Sequence, residues 1–362
     1  MSSTVSAPAS VPAPASDFSP SSPLVDPLDA ARWLGALERP IAVTGGTGFV
    51  GSHVVDTLCG AGMRPRVLVR DRAHPRWIGD APVEWVEGDL GDGAALRALV
   101  RDAGTVLHLA GVVRAGRAAD FDAGNRVGTA NLVEAVREVA PSARLVHVSS
   151  LAAAGPSPSP EGAAPTDPPR PISDYGRSKL AAEEAVAALG DARWWCVLRP
   201  PAVFGPRDTD VLEFFRMAAR GVAALPAGER WLTVVYVADV VRAVLAAAAA
   251  GAAGETYHLG APSPTRLADL LAELAAAGGC RVRVVPVPPP VIAAAGVVGS
   301  GLQRLGWRRL PLTRDKAREL VARHWSARTA SSLEALGVGP GTPFPAAAAA
   351  TWRWYRNRGW VG

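Results

Sequence analysis

The chain has 362 residues, of which 49% are hydrophobic and 20% are charged, and its formal net charge is +5. This composition is typical of a globular protein with one large domain or two coupled ones, and it excludes a fibrous or wholly disordered chain. Three distant cysteines, Cys59, Cys196 and Cys280, indicate neither a disulfide framework nor a metal site and favour the cytoplasm.

The chain begins with a segment rich in Ala, Pro and Ser that has few large apolar side chains. Such a composition cannot bury enough surface to fold, so residues 1–36 are predicted to be disordered. No basic residue precedes Asp17 and no unbroken apolar core follows. A secretory signal is therefore not predicted.

After this segment, short runs of apolar and β-branched residues alternate with helical patterns such as residues 124–140. This alternation predicts an α/β fold with a parallel sheet that helices cover on both faces. The predicted strands are residues 41–44, 66–69, 83–88, 105–110, 144–150 and 194–200.

The first predicted strand leads directly into the sequence TGGTGFVGSHVV, residues 44–55. Gly46, Gly48 and Gly51 fit the pattern G-x-G-x-x-G, whereas Gly45, Gly48 and Gly51 fit G-x-x-G-x-x-G equally well. In either register, glycine permits a tight turn and lets the backbone approach a pyrophosphate at the start of the next helix. Between a strand and a helix, the motif indicates a dinucleotide-binding site.

The end of the second predicted strand bears on which dinucleotide is bound. An acidic side chain there binds the ribose hydroxyl of NAD, whereas an arginine accepts the 2′-phosphate of NADP. Arg70 ends this strand and is followed by Asp71 and Arg72. Because a guanidinium suits phosphate, we predict NADP, with NAD bound through Asp71 as the alternative.

A tyrosine and a lysine are spaced four residues apart on a predicted helix. Lys179 is one of only two lysines in the chain and follows Tyr175 by four residues, which places both on one helix face. A free tyrosine has a pKa of about 10, and a nearby ammonium favours the phenolate. The pair therefore predicts a proton-transferring phenol whose pKa is brought toward the neutral range.

Together these motifs resemble the extended short-chain dehydrogenase/reductase superfamily (the NAD-dependent epimerase/dehydratase family) across residues 40–260. The pattern is closest to the branch of dihydroflavonol reductases and 3-beta-hydroxysteroid dehydrogenases. The matching segments are TGGTGFVG (44–51), GDL (88–90), HLAG (108–111), the asparagine of NRVGTANL (125–132), VSSLAAAG (148–155), YGRSK (175–179), RPPAVFGP (199–206) and VYVADV (235–240).

The resemblance implies that Tyr175 is the acid/base, that Lys179 lowers its pKa and holds the nicotinamide ribose, and that Ser150 steadies the substrate oxygen. Ser149 is the neighbouring alternative to Ser150. Asp89 is expected to contact the adenine, and no metal is implied. The implied cofactor-binding residues are Gly45, Thr47, Gly48, Phe49, Val50, Gly51, Arg70, Asp89, Leu90, Leu109, Ala110, Gly111, Tyr175, Lys179, Pro200 and Val203.

The resemblance also implies the domain organisation. Residues 37–260 are expected to form a Rossmann-type doubly wound parallel sheet that binds NAD(P), with residues 201–231 contributing to the substrate part. Residues 261–362 are expected to form a smaller, mostly helical substrate-binding cap. A homodimer through the helices at 124–140 and 173–189 is a further expectation.

Departures from relatives narrow the predicted chemistry. Leu151 and Ala152 stand where related dehydratases carry an Asp-Glu pair. Leu232 and Thr233 stand where epimerases carry an Arg-Asp pair, and Arg230 is out of register. The prediction is therefore an NAD(P)-dependent oxidoreductase acting on a hydrophobic ketone or secondary alcohol, sterol-like or dihydroflavonol-like. The alternatives are a nucleotide-sugar epimerase with tightly bound NAD and a non-catalytic dinucleotide-binding protein.

The predicted substrate surface is apolar. It draws on Leu151, Ala152, Ala153, Phe204, Phe214, Phe215, Val291, Ile292 and Trp307.

Two C-terminal stretches bear on possible partners. The apolar run 291–302 is too short to span a bilayer and predicts a buried helix, with a lipid-facing segment as the alternative. Residues 304–328 carry eight basic and two acidic side chains, which predicts a solvated helix or, as the alternative, a surface for anionic lipid or an acidic partner. The stretch does not show the repeated alternation of basic and aromatic residues that is typical of nucleic-acid-binding surfaces, so a nucleic-acid partner is not predicted.

Overall fold

The computed structural model describes residues 24–26, 28–304 and 312–361. The strands, in chain order, are β1 (Ile41–Thr44), β2 (Arg66–Val69), β3 (Glu84–Glu87), β4 (Thr105–His108), β5 (Arg144–Val148), β6 (Trp195–Arg199), β7 (Ala202–Phe204), β8 (Val222–Pro226), β9 (Trp231–Leu232), β10 (Val234–Tyr236), β11 (Glu255–His258), β12 (Thr265–Arg266), β13 (Arg283–Val287) and β14 (His324–Trp325). The helices are α1 (Ala31–Leu34), α2 (Phe49–Gly60), α3 (Gly93–Val100), α4 (Ala118–Asp122), α5 (Gly128–Val139), α6 (Leu151–Ala154), α7 (Asp174–Ala187), α8 (Leu212–Ala219), α9 (Val237–Ala250), α10 (Leu267–Ala277), α11 (Pro289–Arg304), α12 (Arg314–Val321), α13 (Ala330–Leu336) and α14 (Phe344–Asn357).

The central sheet has the strand order β11-β6-β5-β4-β1-β2-β3, and all its neighbouring strands are parallel. The predicted Rossmann-type α/β fold is thereby confirmed. The chain order reverses between β1 and β4, and doubly wound sheets bind ligands in the crevice at such a switch point. All six predicted strands lie in this sheet, whereas β11 is not among them.

Helices cover both faces of the central sheet. Successive side chains of a strand point to opposite faces, so each strand contributes to two apolar cores. Ala42 of β1 and Leu145 of β5 belong to the apolar core shared with α3, α5 and α7. Val43 and Val146, one residue further along the same strands, belong to the core shared with α2 and α9. Strands that are buried on both faces read as the continuous apolar runs seen in the sequence.

The C-terminal elements pair with short strands that follow the sheet. β13 pairs with β8, and β12 and β14 flank β9. Trp352 and Tyr355 of α14 are fully buried and meet Phe215 of α8 edge to face. The C-terminal helix α14 therefore packs on α8, which belongs to the predicted substrate part at 201–231. The domain boundaries stay a prediction.

The N-terminal prediction needs a correction. Val25, Trp33 and Leu34 are buried in the main core, and α1 packs against α9. Because these apolar side chains are buried against the rest of the protein, the predicted disorder is wrong for the described part of 24–36. Residues 1–23 lie outside the described residues.

The apolar run 291–302 forms most of α11, but the prediction of a buried helix is wrong. Val291, Val297 and Val298 are exposed, because α11 packs on α12 through one narrow face. Among the described helices, none has both the length and the apolar character needed to cross a bilayer.

Candidate active site

The turn between β1 and α2 is shaped by glycines. Gly45 has a φ of +71°, which favours glycine, and a Cβ there would lie 2.5 Å from the backbone N of Ala110. A Cβ on Gly51 would lie 2.1 Å from the Gly45 carbonyl oxygen. No side chain caps the N-terminus of α2 at Gly48. The backbone amides in the first turn of α2 are therefore not bound by a capping side chain. This cradle fits the pyrophosphate of a dinucleotide.

The other predicted cofactor-binding residues follow the carboxyl ends of parallel strands. They therefore share one edge of the sheet with the glycine turn, which is the arrangement that a dinucleotide across the crevice requires. Thr47, Phe49 and Val50 are half-buried at the start of α2; Arg70 follows β2, Asp89 and Leu90 follow β3, Leu109, Ala110 and Gly111 follow β4, Pro200 follows β6 and Val203 lies in β7. Their contacts with a dinucleotide stay a prediction.

Lys179 lies close to the glycine turn. Ser173 caps α7, accepting a hydrogen bond from the Gly176 amide at 3.0 Å, and so sets the start of the helix. The Lys179 side chain is buried and its Nζ donates to the Val148 carbonyl oxygen at 2.9 Å. A Cβ on Gly111 would lie 3.6 Å from this Nζ. Helix α7, which carries the predicted tyrosine–lysine pair, therefore lies at the sheet edge that is predicted to bind the cofactor.

Burial changes the pKa values of both Tyr175 and Lys179. Burial raises the pKa of Tyr175 to about 12, and a hydrogen bond with Ser150 opposes this rise. Burial also lowers the pKa of Lys179 to about 8. Desolvation of the phenolate is the largest influence on the pKa of Tyr175, and the Lys179 ammonium donates to Val148. The lowering of the tyrosine pKa by Lys179 stays a prediction.

Ser149 and Ser150 face opposite ways at the end of β5. Ser149 Oγ donates to Glu183 in the protein interior. Ser150 caps α6 by accepting from the Ala152 amide at 3.2 Å, and its hydroxyl acts to lower the pKa of Tyr175. Of the two serines, only Ser150 is thus on the side of the tyrosine.

Asn125 holds a position that sequence reasoning did not explain. It lies in a π-helical turn, Ala123–Val127, and its amide nitrogen donates to Ser178 Oγ at 2.8 Å and to the Val112 carbonyl at 3.0 Å. Ser178 in turn donates to the Tyr175 carbonyl at 2.8 Å. The network connects the loop after β4 to α7, the helix that carries Tyr175 and Lys179. No spacing signal reveals a π-turn, since it interrupts the helical period.

The cap contributes groups beside Tyr175. Asp315 of α12 accepts a hydrogen bond from the Asp174 amide at 2.8 Å. The negative charges of Glu319 in α12 and of Asp210, in the segment before α8, both act to raise the pKa of Tyr175. Helix α12 therefore borders the approach to the tyrosine.

Arg230 is not available to a ligand diphosphate. Its guanidinium is buried and donates to the carbonyl oxygens of Ala227 at 2.6 Å, Gly228 at 3.0 Å and Leu320 at 3.3 Å, among others. These bonds join the loop before β9 to the end of α12. The out-of-register arginine is thus a structural group.

The predicted apolar substrate surface is in part core. Phe215 is fully buried against Trp352, and Phe204 is buried against Tyr236. Phe215 cannot reach a substrate, because close packing with other aromatic rings encloses it. Trp307 lies outside the described residues.

Comparison with known proteins places this site in a family. Residues 41–260 match the family model described as "NAD dependent epimerase/dehydratase family". The chain is 34% identical over 325 residues to "Ceramide reductase" of Caulobacter vibrioides, covering 89% of this chain and 96% of that protein. It is 31% identical over 288 residues to "4-hydroxy-2-methyl-3-oxo-4-farnesyl-3,4-dihydroquinoline-1-oxide ketoreductase" of Stigmatella aurantiaca, covering 77% and 84%.

A solved structure agrees with these relatives. The crystal structure of gox2253 superposes with a TM-score of 0.73 at 26% identity, covering 89% of this chain and 99% of that chain. The predicted family, cofactor class and enzyme class are confirmed by these findings. The chain is an NAD(P)-dependent oxidoreductase that belongs to the NAD dependent epimerase/dehydratase family.

Proposed function

We propose that the protein reduces a ketone on a lipophilic molecule to a secondary alcohol, with NADPH as the preferred hydride donor. The observation that carries the proposal is the convergence of Ser150, Tyr175 and Lys179 beside Gly111, at the sheet edge that holds the glycine turn. A proton donor and an oxygen-binding hydroxyl next to a dinucleotide cradle are what carbonyl reduction needs.

Each side chain has a role in the proposed reaction. When bound, the nicotinamide supplies the hydride that reduces the carbonyl carbon. Tyr175 Oη donates its proton to the carbonyl oxygen, and Ser150 Oγ donates a hydrogen bond to the same oxygen. Lys179 stabilises the phenolate left on Tyr175. Burial raises the pKa of Tyr175, so the phenol carries at neutral pH the proton that it would donate.

A lipophilic substrate is supported by two observations. Nucleotide-sugar chemistry would need a cation for the diphosphate, and Arg230 is already bound to backbone carbonyls. Leu151 and Ala152 provide no elimination acid after Ser150. One relative is named for ceramide and another for a farnesyl-bearing quinoline ketone.

The preference for NADP is supported by the chain after β2. Arg70 is exposed there, and no partner binds its guanidinium among the residues that the structure describes. The Asp71 carboxylate instead accepts from the Ala73 amide at 2.8 Å and pairs with His74 at 2.7 Å. These contacts hold the pKa of Asp71 below its usual value and occupy the group that would bind a ribose.

We expect Arg70→Ala to weaken NADPH binding by about tenfold to a hundredfold, because a charge-assisted contact to phosphate contributes about 1.5–3 kcal/mol. NADH binding should change by less than about threefold, since NADH lacks the 2′-phosphate. Fluorescence titration measures both dissociation constants. Arg64→Ala, an exposed arginine at the other end of β2, is the matched control. Equal losses for the two cofactors would contradict the preference.

The function itself is tested by following nicotinamide absorbance with NADPH or NADH and a set of substrates. We expect oxidation of the cofactor with long-chain or polycyclic ketones and none with UDP-glucose. Conversion of the nucleotide sugar without net cofactor oxidation would support an epimerase instead. Dinucleotide binding without turnover of any member of the set would support a non-catalytic protein.

A further inference from the structure

Helix α11 packs on the cap through a narrow face made of small residues. Ile292, Gly296 and Gly299 are its buried positions, and their spacing of four and three residues puts them on one side of the helix. A Cβ on Gly296 would lie 2.5 Å from the Ala317 Cβ, and one on Gly299 would lie 2.0 Å from the Leu312 carbonyl oxygen. Glycine is thus required for the close contact with α12.

The part of α11 that does not contact α12 is apolar and open to solvent. Val291, Ala294, Ala295 and Val298 recur at i, i+3, i+4 and i+7 and are exposed, with Val297 beside them. The exposed fractions of Val291, Val297 and Val298 are 55%, 57% and 61%. Such a concentration of apolar surface marks an interaction site more often than it marks an ordinary surface.

Basic residues flank α11 in the sequence, and some of them lie on α12, the helix packed against it. Residues 284–303 contain no charged side chain, whereas Arg281 and Arg283 precede them and the block 304–328 follows with eight basic and two acidic residues. Arg314 and Arg318 of α12 are exposed. An apolar helix face flanked by cations matches the interface of an anionic bilayer, where the apolar side enters the acyl boundary and the cations meet lipid phosphates.

The same helix pair lies beside the proposed catalytic tyrosine. Helix α12 contacts the start of α7 through Asp315, which accepts the hydrogen bond of the Asp174 amide at 2.8 Å. The next residue along α7 is Tyr175. A surface bound through α11 is therefore adjacent to the element that borders the tyrosine.

We propose that the exposed face of α11, with the flanking cations, docks the protein on an anionic phospholipid bilayer and brings the approach to Tyr175 toward the lipid. Sixteen residues at 1.5 Å each give a helix that lies in the interface rather than across the bilayer. A second copy of the chain fits less well, because a two-fold interface at α11 would bring together two copies of the exposed arginines of α12, Arg314 and Arg318. The proposal rests on the α11 surface and not on ketone reduction.

The test is co-sedimentation of the full chain with phosphatidylcholine vesicles that either contain or lack phosphatidylglycerol, without substrate. We expect the protein to bind the anionic vesicles, and added salt to weaken this binding. The double variant Val297→Asp, Val298→Asp should bind at least about tenfold more weakly. Arg314→Glu with Arg318→Glu should weaken binding to the anionic vesicles selectively.

Two controls match these variants. Leu28→Asp changes an apolar side chain that is 83% exposed in the segment before α1, and Arg101→Glu reverses an exposed cation after α3; neither should affect vesicle binding. Unchanged thermal unfolding shows that the α11 variants are folded. Absence of binding by the wild type, equal binding by the α11 variants, or a dimer in light scattering that the double variant breaks without any vesicle binding would each overturn the proposal. Loss of ketone reduction alone would not.

Discussion

Replacing Tyr175 by phenylalanine is expected to lower kcat for ketone reduction by about a hundredfold to ten-thousandfold, the range that general acid catalysis contributes. The substitution removes only the hydroxyl, so the ring keeps its contact with Phe121, whose centroid is 5.9 Å away. The dissociation constant for NADPH should change little. Steady-state kinetics and a binding titration separate the two effects.

Tyr257→Phe is the matched control for this substitution. The Tyr257 hydroxyl accepts a hydrogen bond from the Ala252 amide at 2.8 Å, beyond α9 and away from the glycine turn. Its loss should cost about 1 kcal/mol of stability and leave kcat unchanged. Turnover that survives in Tyr175→Phe would reject the acid/base assignment, whereas loss in both variants would indicate a general effect on folding.

Replacing Arg199 by methionine is expected to reduce the free energy of unfolding by about 3–5 kcal/mol, because it leaves a buried carboxylate without its counterion. Arg199 of β6 donates to both oxygens of Glu183, at 2.6 Å and 3.0 Å. The exposed fractions of the two side chains are 6% and 8%. Glu183 lies on α7, so the pair also holds the helix of Tyr175 against the sheet.

Urea unfolding measures this loss as a lower midpoint at an unchanged slope. Arg97→Met is the control: Arg97 pairs with Glu138 at 3.3 Å, but both side chains are about half exposed, so the change should be below about 1 kcal/mol. Arg199→Lys keeps the charge and should lose less than the methionine variant, which keeps the test usable if methionine prevents folding. Equal losses for Arg97→Met and Arg199→Met would contradict the argument.

Much of the sheet could be predicted because its signals are local. β1 and β2 coincide with the predicted runs 41–44 and 66–69, since strands buried on both faces must be apolar along their whole length. β11 was missed because Glu255–His258 is mixed in character. That strand exists because β6 offers it an edge to pair with, and pairing partners are not visible in a short window.

In the candidate active site, too, some features follow from neighbouring residues and others depend on distant parts of the chain. The glycine turn and the spacing of Tyr175 and Lys179 are properties of neighbouring residues, so they could be recognised directly. The pKa of Tyr175 depends on burial, which many distant residues create together. The engagement of Arg230 by backbone carbonyls of two separate segments likewise depends on how the cap folds back.

By itself, the sequence determined the parallel α/β sheet, the dinucleotide-binding turn and the residues proposed for proton transfer, because each is specified by periodicity or by short spacing. Only the tertiary structure decided that the Ser149 side chain is directed into the interior, that Arg230 is a structural group and that α11 keeps an apolar face exposed. Those outcomes depend on which surfaces come to lie against each other. Burial and partner choice are set by contacts between residues far apart in the chain, and a linear pattern does not contain them.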